Sequence, residues 1–107
     1  MTIDPQFLDV NSAVIAIKRL NNVKAIAEEQ LAHCRAQLAS ENEMLASIQI
    51  ELKARPVEAS LKASEKAYRL GIKAWKLSID AYERDVEACK AEIEHIQRRV
   101  PDARLHS

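Results

Sequence analysis

The sequence predicts an all-α protein, on three observations. Ten apolar residues stand alternately four and three apart: Tyr68, Ile72, Trp75, Ile79, Tyr82, Val86, Cys89, Ile93, Ile96 and Val100. That is the heptad spacing with which one α-helix packs along another. The composition is dominated by Ala, Leu, Glu, Lys, Gln and Arg, the strong helix formers. A sheet protein of 107 residues would need many Gly- and Asn-rich turns, yet the chain has one glycine, Gly71, and three prolines. The expected architecture is an elongated antiparallel hairpin of two long helices plus a shorter N-terminal helix, a three-helix, coiled-coil-like bundle. It forms a single domain over residues 1–107.

The elements follow in chain order. A first helix is expected over about residues 5–20, with Asp4 as N-cap and Pro5 at the first helical position, where its missing N–H costs nothing. Phe7, Val10, Val14 and Ile17 recur along it at helical spacing. Asn21-Asn22 is the expected break, since Asn side chains compete for backbone hydrogen bonds. A second helix, 23–54, carries Leu31, Leu38, Leu45 and Leu52, each seven apart. With these leucines at d, the a positions are Glu28, Arg35, Asn42 and Gln49, all polar. With them at a, the d positions are Ala27, Cys34, Glu41 and Ile48, half a seam. No basic region precedes them, so a zipper-type DNA binder is a poor reading, and the leucines are expected to pack inside the chain. Ser40-Glu41-Asn42-Glu43 matches a capping box and marks a possible bend or restart. Arg55-Pro56 ends the second helix, and Pro56 opens a third, 57–100, at its first turn. Pro101 stops it, and residues 101–107 are expected to fray.

At 1.5 Å per residue the third helix would be roughly 65 Å long and the second roughly 50 Å. The short turn makes them antiparallel. Pairing outward from it sets Leu52 near residue 60, Leu45 near 67, Leu38 near 74 and Leu31 near 81, so the aromatic stripe faces the leucines. Beside the stripe run Ala67, Ala74, Ala81 and Ala88, small enough to let two helices approach closely. The first helix, roughly 24 Å, is expected to fold back along the second and cover Trp75 and Tyr82. Two zones then stay open. One is the tip, with Leu45, Ile48, Leu52, Leu61 and Tyr68; the other is the far end, with Ile93, Ile96 and Val100. An apolar stripe left open usually finds a partner, so the chain is expected to bind protein, itself or another.

Charge and chemistry narrow the classes. Sixteen basic and sixteen acidic residues cancel, whereas nucleic-acid binders carry a net basic face. The helices lack the basic-plus-apolar faces of a membrane-surface segment, and no apolar run approaches the ~20 residues that span a bilayer. The N-terminus lacks the basic and apolar regions of a secretory signal, so a cytoplasmic location is expected. Cys34 and Cys89 stand at stripe positions as small buried hydrophobes, and a disulfide is not expected. His33, His95 and His106 are isolated, no metal-ligand spacing occurs, and no Gly-rich phosphate loop is present. No enzyme activity, metal or cofactor is expected. Charged residues pair instead as acid-first i,i+4 couples: Glu51–Arg55, Glu58–Lys62, Glu65–Arg69, Asp80–Arg84 and Glu94–Arg98. Gly71 stands out, because glycine inside a helix costs about 1 kcal/mol relative to Ala. Close packing against another helix of the same chain accounts for it, or the near approach of a partner's backbone.

A set of residues in order along the chain resembles a known family. Pro5, Phe7, Asp9, Arg19-Leu20, Ala27-Glu28, Gln30-Leu31, Arg35, Leu38, Ser47-Ile48, Ala67-Tyr68 and Gly71-Ile72 are similar to the small helical immunity proteins of bacterial type VI secretion. The best-known member of that family protects against an NAD(P)+ glycohydrolase effector. The resemblance covers roughly residues 4 to 74 and says nothing of 75–107. It implies an antitoxin that binds a cognate toxin domain in the cytosol and occludes its active site. Because such a site takes an anionic nucleotide, acidic and aromatic groups are expected on the blocking surface, and Glu41, Glu43, Tyr68, Arg69 and Gly71 are the candidates. The alternative is a structural coiled-coil or adaptor module that self-associates, as a homodimer through the open heptad ends.

Overall fold

The structure, a computed structural model, describes residues 9–106. They form two long helices, α1 (Val10–Ala54) and α2 (Ala59–Arg99), and a 3-10 helix (Pro101–His106), with no strand among the described residues. The Asp4–Pro5 start lies outside the described residues. Where α1 begins, Asp9 is the N-cap: the Ser12 N–H donates to its Oδ1 at 2.7 Å, and the Ala13 N–H to its carbonyl at 3.0 Å. This satisfies donors that a helix start leaves orphaned. The backbone N–H of Ser12, and then its side chain, hold the fully exposed Asp9 carboxyl below the ordinary carboxylate range. A depressed folded pKa means that the cap's contribution is present above the unfolded pKa and is lost as pH falls through the lowered one. Asp9→Ala should therefore speed amide exchange at Ser12 and Ala13 at neutral pH. Asp9→Asn should keep the cap but abolish its loss in acid.

The expected break at Asn21–Asn22 is absent. α1 is helical throughout, through Ser40 as well, so no separate N-terminal helix folds back. Two Asn in a helix cost only some tenths of a kcal/mol each relative to Ala. Breaking there would forfeit backbone hydrogen bonds and re-aim the residues before it. Continuity completes a seam at alternating spacings of four and three: Ala13, Ile17, Leu20, Lys24, Ala27, Leu31, Cys34, Leu38, Glu41, Leu45, Ile48 and Leu52, all buried or half-buried. The leucines thus sit at a, with Ala27, Cys34, Glu41 and Ile48 at d.

Helix α1 ends before a tight turn in which the Glu58 N–H donates to the Arg55 carbonyl at 3.2 Å. Pro56 occupies the second turn position, which its fixed φ suits. It therefore lies in the connection and not in α2. Glu58 opens α2: its carbonyl accepts the Lys62 N–H and its carboxylate the Ser60 hydroxyl, both at 3.2 Å. All ten residues of the α2 stripe are buried or half-buried. Ala67, Ala74, Ala81 and Ala88 are exposed, so they do not form the contact with α1.

The chain divides into two compact units. In Gln30–Ala81, α1 and α2 run antiparallel on either side of the turn, burying Leu31, Cys34, Ile48 and Ile72. The other unit takes the chain up to Glu29 and from Tyr82 onward. Its core is Ala13, Ile17, Ile93, Ile96, Val100 and Ala103, with Val10, Val14, Ala16 and Leu20 packed around it. Ile93, Ile96 and Val100 are therefore not an open end: the first turns of α1 cover them. Residues 101–106 do not fray either. Pro101 has no N–H to continue the α-ladder, the Ala103 N–H turns to the Val100 carbonyl at 3.0 Å, and Ala103 is fully buried.

Candidate functional site

The most distinctive arrangement is a polar interruption of the Gln30–Ala81 unit. Glu41 holds a d position between Leu38 and Leu45, where a coiled coil wants an apolar side chain. Its carboxylate lies instead on the bare backbone of Gly71. A Cβ at position 71 would stand 2.8 Å from Oε2, 2.9 Å from Oε1 and 3.1 Å from Cδ of Glu41. The glycine thus has a local cause: it makes room for a side chain of the same chain, and no partner's backbone is needed to account for it. Glu41 Oε2 is buried without a hydrogen-bond partner. Such an acceptor is uncommon and costs free energy, which makes it a place to look for function.

The other candidates lie on the same unit in different states. Tyr68 is a half-buried stripe residue one turn before Gly71 and Ile72. Arg69 is exposed, and its guanidinium is 3.6 Å from the Glu65 carboxylate on its own helix. Glu43 is exposed on α1. Glu41 and Gly71 lie against each other across the two helices. A further pair, not foreseen, stands near them: the His33 ring meets the Trp75 ring edge-on, centroids 6.0 Å apart. The expected register would not have found it, since setting Leu38 near 74 and Leu31 near 81 carries residue 33 toward 79, one turn past Trp75.

Shallow, open depressions occur among the described residues. One is lined by Ala46, Gln49, Ile50, Leu52, Lys53 and Glu65, another by Asn21, Lys24, Lys90, Ile93, Glu94 and Gln97. Neither encloses a small molecule as ligand clefts do. Among the described residues no three His, Cys, Asp or Glu side chains converge to hold a metal ion, and no helix is long and apolar enough to cross a membrane. Three of the acid-first couples close as ion pairs, Glu51–Arg55 at 3.5 Å, Glu65–Arg69 at 3.6 Å and Glu94–Arg98 at 3.7 Å. Apart from the half-buried Glu65 their side chains are exposed, and i,i+4 pairs of this kind contribute about 0.3–0.5 kcal/mol. No family model, curated protein or solved structure matches the chain.

Proposed function

We propose that the chain is an immunity protein: it binds a cognate secreted toxin domain in the bacterial cytosol and covers that domain's active site. The observation that carries this reading is the Glu41–Gly71 contact. Two of the candidates for the blocking surface lie against each other across two helices, and one oxygen of the Glu41 carboxylate has no donor among the described residues. A toxin site that takes an anionic nucleotide offers donors and cations, and the Glu41 carboxylate meets them by swinging out of the seam. Glu43 stands about 200° around α1 from Glu41 and offers a separate exposed acidic group, and Tyr68 supplies the aromatic edge.

The test is co-expression with the toxin domain encoded beside this chain. Growth should be rescued, and the purified proteins should form a complex. Glu43→Lys, which leaves the helical seam untouched, should weaken that complex by about tenfold or more with unchanged helix content by circular dichroism. A neighbouring toxin that is neither bound nor neutralised overturns the reading.

A further inference from the structure

Helix α2 carries a second stripe at alternating spacings of four and three: Ala63, Ala67, Leu70, Ala74, Leu77, Ala81, Arg84, Ala88 and Ala91. Eight of these nine positions are apolar and all nine are exposed. Leu70 is 60% and Leu77 64% exposed, and both rank among the large apolar side chains left in solvent. Helix α1 does not cover this face. An apolar heptad line is the pattern that a second helix covers.

The charges say which helix fits. Over residues 59–77, α2 has five basic side chains (Lys62, Lys66, Arg69, Lys73 and Lys76) against one acidic, Glu65, a net of +4. Over residues 80–97 it has six acidic side chains (Asp80, Glu83, Asp85, Glu87, Glu92 and Glu94) against two basic, Arg84 and Lys90, a net of −4. This order is unfavourable within one helix, whose N-terminal end prefers acids, so local helix stability does not explain it. The same polarity lies along one edge of the stripe. Lys66 and Lys73 stand one turn before Leu70 and Leu77, whereas Asp80 and Glu87 stand one turn before Arg84 and Ala91.

We propose that this face binds a second copy of the chain, α2 against α2, antiparallel about a two-fold axis near Leu77. Flanking positions of the same heptad letter face each other in an antiparallel pair. Lys66 of one copy then meets Glu87 of the other, and Lys73 meets Asp80, each pair occurring twice by symmetry. The two Leu77 side chains meet at the axis, and the alanines let the backbones approach. A parallel pair would set acidic half beside acidic half, which costs free energy. The surface adjoins the one assigned to the toxin, since Arg69 and Gly71 stand on either side of Leu70, but it needs no toxin to form.

Analytical ultracentrifugation of the full chain, over a concentration series reaching the millimolar range, tests the proposal. The unmodified chain should dimerise. Lys66→Glu with Lys73→Glu should weaken the dimer by about tenfold or more, and so should Asp80→Lys with Glu87→Lys. An equimolar mixture of the two variants should restore a heterodimer. All four positions are exposed, so circular dichroism should show unchanged helix content. A chain that stays monomeric throughout overturns the proposal. So does a dimer indifferent to both swaps, or a mixture that fails to restore pairing.

Discussion

Ile17→Ala should lower the stability of the folded chain by about 2–5 kcal/mol, the range for truncating a well-buried Ile. Ile17 is 1% exposed and is the largest fully buried side chain. It sits in one core with Ile93, Ile96 and Val100. Removing three of its carbons loses their transfer free energy and leaves a cavity that a two-helix layer has few side chains to fill. Ile15→Ala, two residues away, is the internal control. Ile15 is 51% exposed, and its truncation should stay within about 0.5 kcal/mol. Urea unfolding followed by circular dichroism measures both. Hydrogen exchange should add that Ile17→Ala loosens residues 10–29 and 82–103 first. Equal effects at 15 and 17 would mean that α1 does not present the face described above.

The second large effect has the opposite sign. Gly71→Ala should raise stability by up to about 1 kcal/mol, the helix-propensity difference between the two residues. The new methyl would meet Glu41, but at the far end of a flexible side chain and not at backbone. The carboxylate can swing into water, where its unpartnered oxygen is solvated. For a domain of this size that gain corresponds to a melting temperature higher by roughly 4–8 °C. Glu41→Ala empties the space over position 71, so in that background Gly71→Ala should gain more than it does with Glu41 present. The two substitutions share a contact and should be non-additive in a double-mutant cycle. If Gly71→Ala instead destabilises the chain while Glu41→Ala abolishes that loss, the carboxylate is held in place by more than the contacts seen here. In the immunity reading Gly71→Ala carries a second consequence: a displaced Glu41 should weaken toxin binding even as the chain becomes more stable.

How much of this was legible in the sequence differs between the two helices. The α2 stripe could be read because its seam is wholly apolar, while its other faces, Leu70 and Leu77 apart, are charged, polar or small. Helix α1 hid its seam. Lys24 and Glu41 occupy seam positions, Ala13 and Ala27 are small ones, and Ile15, Val23, Ile26, Met44 and Ile50 are apolar but exposed. With apolar residues on every side, the pattern does not declare which face is inward. The leucine repeat placed half of the seam correctly, and its partner positions Ala27, Cys34, Glu41 and Ile48 looked too mixed to complete it. The Asn21–Asn22 break failed for a related reason. Local propensity there is worth a fraction of what the buried Ala13 and Ile17 contribute once the helix continues, and that burial appears only when the far end of α2 is considered with it. The Glu41–Gly71 contact was nearly in reach. A register that sets Leu38 near 74 and Leu45 near 67 sets 41 near 71. What the pattern lacked was any reason for a glutamate to fold over a glycine, since side-chain conformation has no periodic signal. The outward face of α2 was half seen as an alanine line and was assigned to the wrong contact.

The central claim is that α1 runs unbroken past Asn21 and that its first turns close the end of the α2 stripe. A partner that used Ile93, Ile96 and Val100 would then have to displace the first turns of α1. A methyl NOE spectrum of the isoleucine-labelled chain at low concentration tests this most directly. The expected result is cross-peaks from Ile17 to Ile93 or Ile96 and none from Ile17 to the Trp75 ring. Cross-peaks from Ile17 to Trp75, with none to Ile93 or Ile96, would show a first helix folded back on the second and would contradict it.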